Sequence, residues 1–91
     1  MITIVTSAIR AKDGTVYFDP SLKPKRHPDV IKLMVQAGLP LPVTKDSTQG
    51  FRTSDGRFVN RVEAAKIAFA AGQITWNPEE LFSEDLWQGR L

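Results

Sequence analysis

Two Asp-Gly dipeptides divide this chain, and each lies between short runs rich in β-branched and aromatic residues. Lys12-Asp13-Gly14 separates ITIVTSAIR (2–10) from Thr15-Val16-Tyr17-Phe18, and Ser54-Asp55-Gly56-Arg57 separates residues 49–53 from Phe58-Val59. Asp-Gly tolerates the positive φ that tight hairpin turns need. The pattern therefore predicts two β-hairpins, and with them antiparallel structure. In the first run Ile4, Thr6, Ala8 and Arg10 alternate with Val5, Ser7 and Ile9, the period of a strand.

Each hairpin is followed by a helix signal. After the loop DPSLKPKR (19–26), His27-Pro28-Asp29 opens a helix of about ten residues. His27 stands at the cap position, and Asp29 suits the positive end of the helix dipole. Val30, Ile31, Met34 and Val35 form its apolar stripe, and Gly38 ends it. Leu39-Pro40-Leu41-Pro42 and residues 43–48 make a connection. Asn60 with Glu63 three residues on predicts a capped second helix, from Arg61 to about Ala71, ending at Gly72. Its alanines, Ala64, Ala65, Ala68, Ala70 and Ala71, predict a mostly buried helix. In the tail, residues 74–76 read as extended. Ser83-Glu84-Asp85 caps a last turn that buries Leu86 and Trp87. The expected fold is α+β: one small domain over 1–91, with antiparallel β-hairpins packed with two short α-helices.

Ninety-one residues without cysteine have neither disulfides nor thiolate metal sites to reinforce a small core. Association between copies is the remaining general route. No basic-apolar leader and no apolar stretch near the roughly 18 residues of a membrane span is present. The expectation is a soluble intracellular protein. The net charge of +2 is uneven. Residues 1–66 hold eleven Lys/Arg and six Asp/Glu (11 − 6 = +5), and residues 67–91 hold one and four (1 − 4 = −3). A dipolar surface and an anion-binding body with an acidic tail both fit this split.

Catalytic furniture is sparse. One histidine, no cysteine and scattered carboxylates give neither a triad nor a metal cluster, and no phosphate-loop glycine pattern occurs. No enzyme, metal or cofactor is expected. Asp13 and Asp55 belong to turns, Asp29 and Glu63 to helix starts, and Glu79-Glu80 and Glu84-Asp85 to a solvated acidic tail.

What remains is a cluster of arginines and aromatics. Arg52, Arg57 and Arg61 fall within ten residues, with Phe51 and Phe58 beside the first two and Asn60 at the helix start. Guanidinium forks match phosphate oxygens, and aromatic faces beside them suit bases. Arg26 and His27 open the other helix in the same manner. Both helix starts thus carry basic residues where the dipole prefers acids; unless Asp29 and Glu63 offset them, an external anion is wanted. The modest net charge weighs against a nucleic-acid polymer and favours a compact phosphorylated ligand. Against this stands the plainer reading: phenylalanines in the core and arginines in solvent.

The segment GFRTSDGRFVNRVEAAKIAFAAGQI (50–74), followed by LFSEDLW (81–87), resembles phage-encoded proteins. It is similar to the first described family of Thoeris anti-defence proteins, the phage sponges. AIRAKDGTVYF (8–18) and RHPDVIKLM (26–34) fit the same pattern, so the resemblance spans most of the chain, with SLKPKR (21–26) departing from it. The resemblance implies no chemistry but sequestration of cyclic ADP-ribose isomers in the infected host cytoplasm. It also implies homo-oligomers, dimers or hexamers, some of which hold cyclic oligonucleotides as well. On it, Arg57 and Arg61 are phosphate contacts, Phe51 and Phe58 stacking partners, and Asn60 a polar contact. The rival expectation is a small protein that inhibits a bacterial defence effector, such as a CRISPR complex, by direct contact.

Overall fold

A computed structural model describes residues 1–19, 26–39, 42 and 46–86, without the side chain of Glu84. The elements run β1 (Ile4–Arg10), β2 (Val16–Tyr17), α1 (His27–Gln36), β3 (Thr48–Thr53), β4 (Phe58–Asn60), α2 (Arg61–Ala70) and α3 (Ser83–Leu86). Both expected hairpins form. Gly14 and Gly56 take φ of +91° and +86°, the left-handed values the Asp-Gly turns require. Asp13 Oδ1 accepts the Thr15 N–H at 2.9 Å, and the Thr53 N–H donates to the Arg57 carbonyl at 2.9 Å across the second turn.

The hairpins join along β1 and β3, giving one antiparallel sheet in the order β2-β1-β3-β4. Arg10 opposes Thr48, Ala8 opposes Gly50 and Thr6 opposes Arg52, with an irregularity between Ile4 and Thr6 that leaves Val5 unpaired. Side chains alternate across a strand, so this register assigns two faces. Ser7, Ile9, Gln49, Phe51, Thr53 and Val59 point one way; Thr6, Ala8, Arg10, Gly50, Arg52 and Phe58 point the other.

Both long helices pack on the first face. α1 lies against β1 and β2, where Val30 and Met34 bury against Ile9. α2 lies against β3 and β4, where Ala64, Ala65 and Ala68 meet Ile4, Phe51, Val59, Ile74 and Leu81. The alanines let the helix backbone approach the sheet closely. Only that side of α2 is buried, however; Val62, Phe69 and Ala70 are exposed, because a helix beside a sheet turns one stripe inward and the rest outward.

The helix ends follow their sequence signals. Asn60 Oδ1 accepts the Glu63 N–H at 2.9 Å. Gly38 and Gly72 take φ of +83° and +74°, with Leu39 N–H to Met34 O at 3.3 Å and Gln73 N–H to Ala68 O at 2.9 Å closing each helix. The Gln73 amide then grips β1, accepting from the Ile4 N–H at 2.7 Å and donating to its carbonyl at 2.9 Å.

Three local expectations are corrected. The cap of α1 is Arg26, whose backbone N–H donates to Asp29 Oδ2 at 3.2 Å; His27 is the first helical residue. Residues 74–76 form no strand: Ile74 turns into the core and Trp76 outward. In the last turn Ser83 lies inside α3, and the Asp85 carboxylate accepts the Phe82 N–H at 2.9 Å. Trp87 lies outside the described residues, as do Lys23 and Lys25.

Candidate functional site

The sheet face turned away from the helices is the site of interest. Two arginines and two phenylalanines cover it. The Arg10 guanidinium lies 5.0 Å from the Phe58 ring centroid, and that of Arg52 lies 4.3 Å from the Phe18 ring centroid. Both distances fall within cation–π range. Beneath them Thr6, Ala8 and Gly50 are buried although no described helix or strand packs over this face.

Gly50 is what lets Phe58 lie down. A Cβ there would come 2.1 Å from the Val59 carbonyl oxygen and 2.7 Å from Phe58 Cζ. The ring therefore occupies the space a side chain would need. Neither Arg10 nor Arg52 forms an ion pair with a described carboxylate. Arg10 is exposed and Arg52 half-buried, so both present surface to solvent or a ligand. Arg10 sits four residues along β1 from the Thr6–Arg52 pair and one strand across from Arg52, so the two backbones stand about 14 Å apart.

The three arginines of the 52–61 segment do not converge. Arg52 belongs to the open face. Arg57 stays in the β3–β4 turn, where its Nε donates to Asp55 Oδ2 at 2.8 Å. That carboxyl is held below its ordinary range first by the Thr53 hydroxyl, which donates to it, and then by Arg57. Arg61, at the start of α2, lies 4.7 Å over the Phe82 ring, and its Nη2 donates to Gln49 Oε1. Gln49 shares the helix-facing parity of Phe51, so Arg61 and Arg52 are on opposite sides of the sheet. The Arg61 Nε is buried without a hydrogen-bond partner.

The remaining expected residues divide between core and caps. Phe51 is fully buried, so its ring has no face left to stack a ligand. His27 is buried and ties three segments together. Its Nε2 lies 2.8 Å from the Gly50 carbonyl, its Nδ1 lies 3.3 Å from Ser83 Oγ, and its ring meets Phe51 edge-on at 5.1 Å. A carbonyl only accepts, so Nε2 carries the proton. Histidine is here the joint between α1, β3 and α3, not an anion contact. Asn60 spends its side-chain oxygen on the α2 cap. Arg26 is half-buried at the start of α1, and Asp29 answers the open helix end there. No external anion is needed at that end.

Of the expected site, Arg52 and Phe58 share the open face, with the exposed Asn60 at the end of the neighbouring strand. Arg10 and Phe18 join them without having been singled out. The alternation of Thr6, Ala8 and Arg10 carried the signal for Arg10; the missing piece was the β1–β3 pairing. Among the described residues no group of three or more His, Cys, Asp or Glu could hold a metal. No described helix is long and apolar enough to cross a membrane.

Residues 3–87 match the family model described as Phage T4 y16D protein. No curated protein and no solved structure gives a significant match.

Proposed function

The chain belongs to the Phage T4 y16D protein family, and on that premise we propose that it is a non-enzymatic anti-defence protein that sequesters a cyclic nucleotide immune signal of the host. The observation that carries this reading is the pair of unneutralised guanidinium groups stacked on Phe18 and Phe58. A nucleotide joins a flat base to an anionic phosphate, and an arginine lying on an aromatic ring offers a platform for the first and N–H donors for the second. The ligand is a cyclic ADP-ribose isomer, with cyclic oligonucleotides as further candidates. It is bound by a homo-oligomer in the infected cytoplasm. Arg57 and Arg61 join the ligand's phosphates by exchanging their present partners, Asp55 and Gln49.

The test incubates the protein with cyclic ADP-ribose isomers and cyclic oligonucleotides, measures depletion, then heats the complex. Sequestration returns intact ligand. A degraded product, or no depletion, rejects it.

A second reading is an inhibitor that acts by contact with a defence protein. It is favoured by Val62 and Phe69, 44% and 43% exposed on the outer side of α2, together with Trp76 and Phe82. A stable complex in pull-down experiments, retained by Arg52→Ala and lost by Phe69→Asp, supports that reading over sequestration.

A further inference from the structure

We infer that the open sheet face also binds single-stranded nucleic acid, RNA or DNA, as a short stacking platform. The feature that argues for a strand is the arrangement of the two Arg–Phe stacks. They lie side by side on a face that no described helix or strand covers, with the Phe58 ring of edge strand β4 seated over Gly50 of β3 and Phe18 following the other edge strand, β2. A ligand that stacks on both runs across the strands, since the two rings come from opposite edges of the sheet. A single-stranded chain does so naturally: successive bases stack on successive platforms while its backbone runs over the cations.

Three observations restrict the occupant. The cations carry no described carboxylate partner, so the face attracts anions. Phe18, Phe58 and Arg52 are half-buried rather than sealed, so their outer surfaces are within reach. The rings lie low, with Phe58 over Gly50, so they contact a base only when its π face is free. A duplex hides those faces in its own stack, which selects strands over helices. The inference stands apart from sequestration of a small cyclic ligand, although both use base stacking on the same side chains.

The experiment measures fluorescence anisotropy of labelled U12, dT12 and a 12-base-pair duplex at 20 and 200 mM NaCl. The strands bind at least about ten-fold tighter than the duplex. The logarithm of affinity falls with that of salt with a slope near −1.4, about −0.7 for each of two phosphate contacts. Phe18→Ala weakens strand binding about ten-fold, in the range seen for loss of one stacked base. Phe58 also braces the sheet, so Arg10→Gln and Arg52→Gln serve as variants that leave both rings in place. Each lowers the slope by about 0.7. Lys66→Gln, an exposed cation of α2 on the other side of the sheet, leaves affinity within two-fold. Equal affinity for strand and duplex, insensitivity to both glutamine variants, or no strand binding by folded protein at 20 mM salt overturns the inference. Depletion of a cyclic nucleotide without strand binding would sink this inference and leave sequestration intact; strand binding without depletion does the reverse.

Discussion

Replacing Gly50 by alanine separates two opposing effects by sign. In an ordinary strand interior, alanine is favoured over glycine by roughly 0.5–1 kcal/mol, because glycine loses more backbone entropy. At Gly50 the added methyl would lie 2.1 Å from the Val59 carbonyl oxygen and 2.7 Å from Phe58 Cζ. The ring can swing aside. The carbonyl cannot, since it belongs to β4 and Val59 pairs with Phe51. Relief requires β4 to move outward by about an ångström, which disturbs the Gly50–Asn60 pair and the seat of Phe58. Overpacking of a well-packed site costs about 1–3 kcal/mol, and more where backbone must shift. We expect Gly50→Ala to cost about 3 kcal/mol. The net stability of a domain this size is about 5–14 kcal/mol, so the loss is large. Urea unfolding would read it as a lower midpoint at unchanged m, and calorimetry as a Tm lower by at least about 12 °C. Phe58→Ala in the Gly50→Ala background should restore only part, because the carbonyl clash remains. A neutral or stabilising Gly50→Ala refutes the placement of β4 against β3.

Asp55 gives a pH signature. Its carboxyl is depressed in the folded chain, by the Thr53 hydroxyl first, so its contribution is present above its ordinary value of 3.8 and is lost as pH falls below it. The Tm gap between the wild type and Asp55→Asn should therefore be open at pH 6 and narrow by pH 3; a gap independent of pH contradicts the assignment. Ser7 Oγ is buried without a hydrogen-bond partner. Ser7→Ala should be neutral or stabilise by up to about 1 kcal/mol in urea unfolding, and a loss greater than that would reveal a partner.

Local signals in the chain were strong wherever the backbone had to adopt a special conformation. Gly14, Gly38, Gly56 and Gly72 all take positive φ, and Asn60 caps α2 as its spacing with Glu63 implied. Those features depend on a few neighbouring residues. The site depended on a long-range choice that no local pattern carries: that β1, and not β2 or an edge, pairs with β3. That pairing put Arg10 and Arg52 on one face and left Arg61 on the other. It also gave His27 its partners, since Gly50 and Ser83 lie 23 and 56 residues away. A cluster of arginines in sequence is therefore weak evidence for a cluster in space when a strand, a turn and a helix start divide it. The even-numbered residues of β1 were the better guide.

The central seam of the sheet sets the order in which the chain can mature. Arg10 meets Thr48 and Ile4 meets Thr53, separations of 48 − 10 = 38 and 53 − 4 = 49 residues. Closing such a span costs about 2 kcal/mol more than closing a four-residue turn. On the ribosome, β1 has β2 as its one described strand partner until β3 begins to emerge at Thr48, although α1 can already cover Ile9 on one face. Through that interval a seven-residue strand presents one edge bare, an invitation to chaperones or to a neighbouring nascent copy.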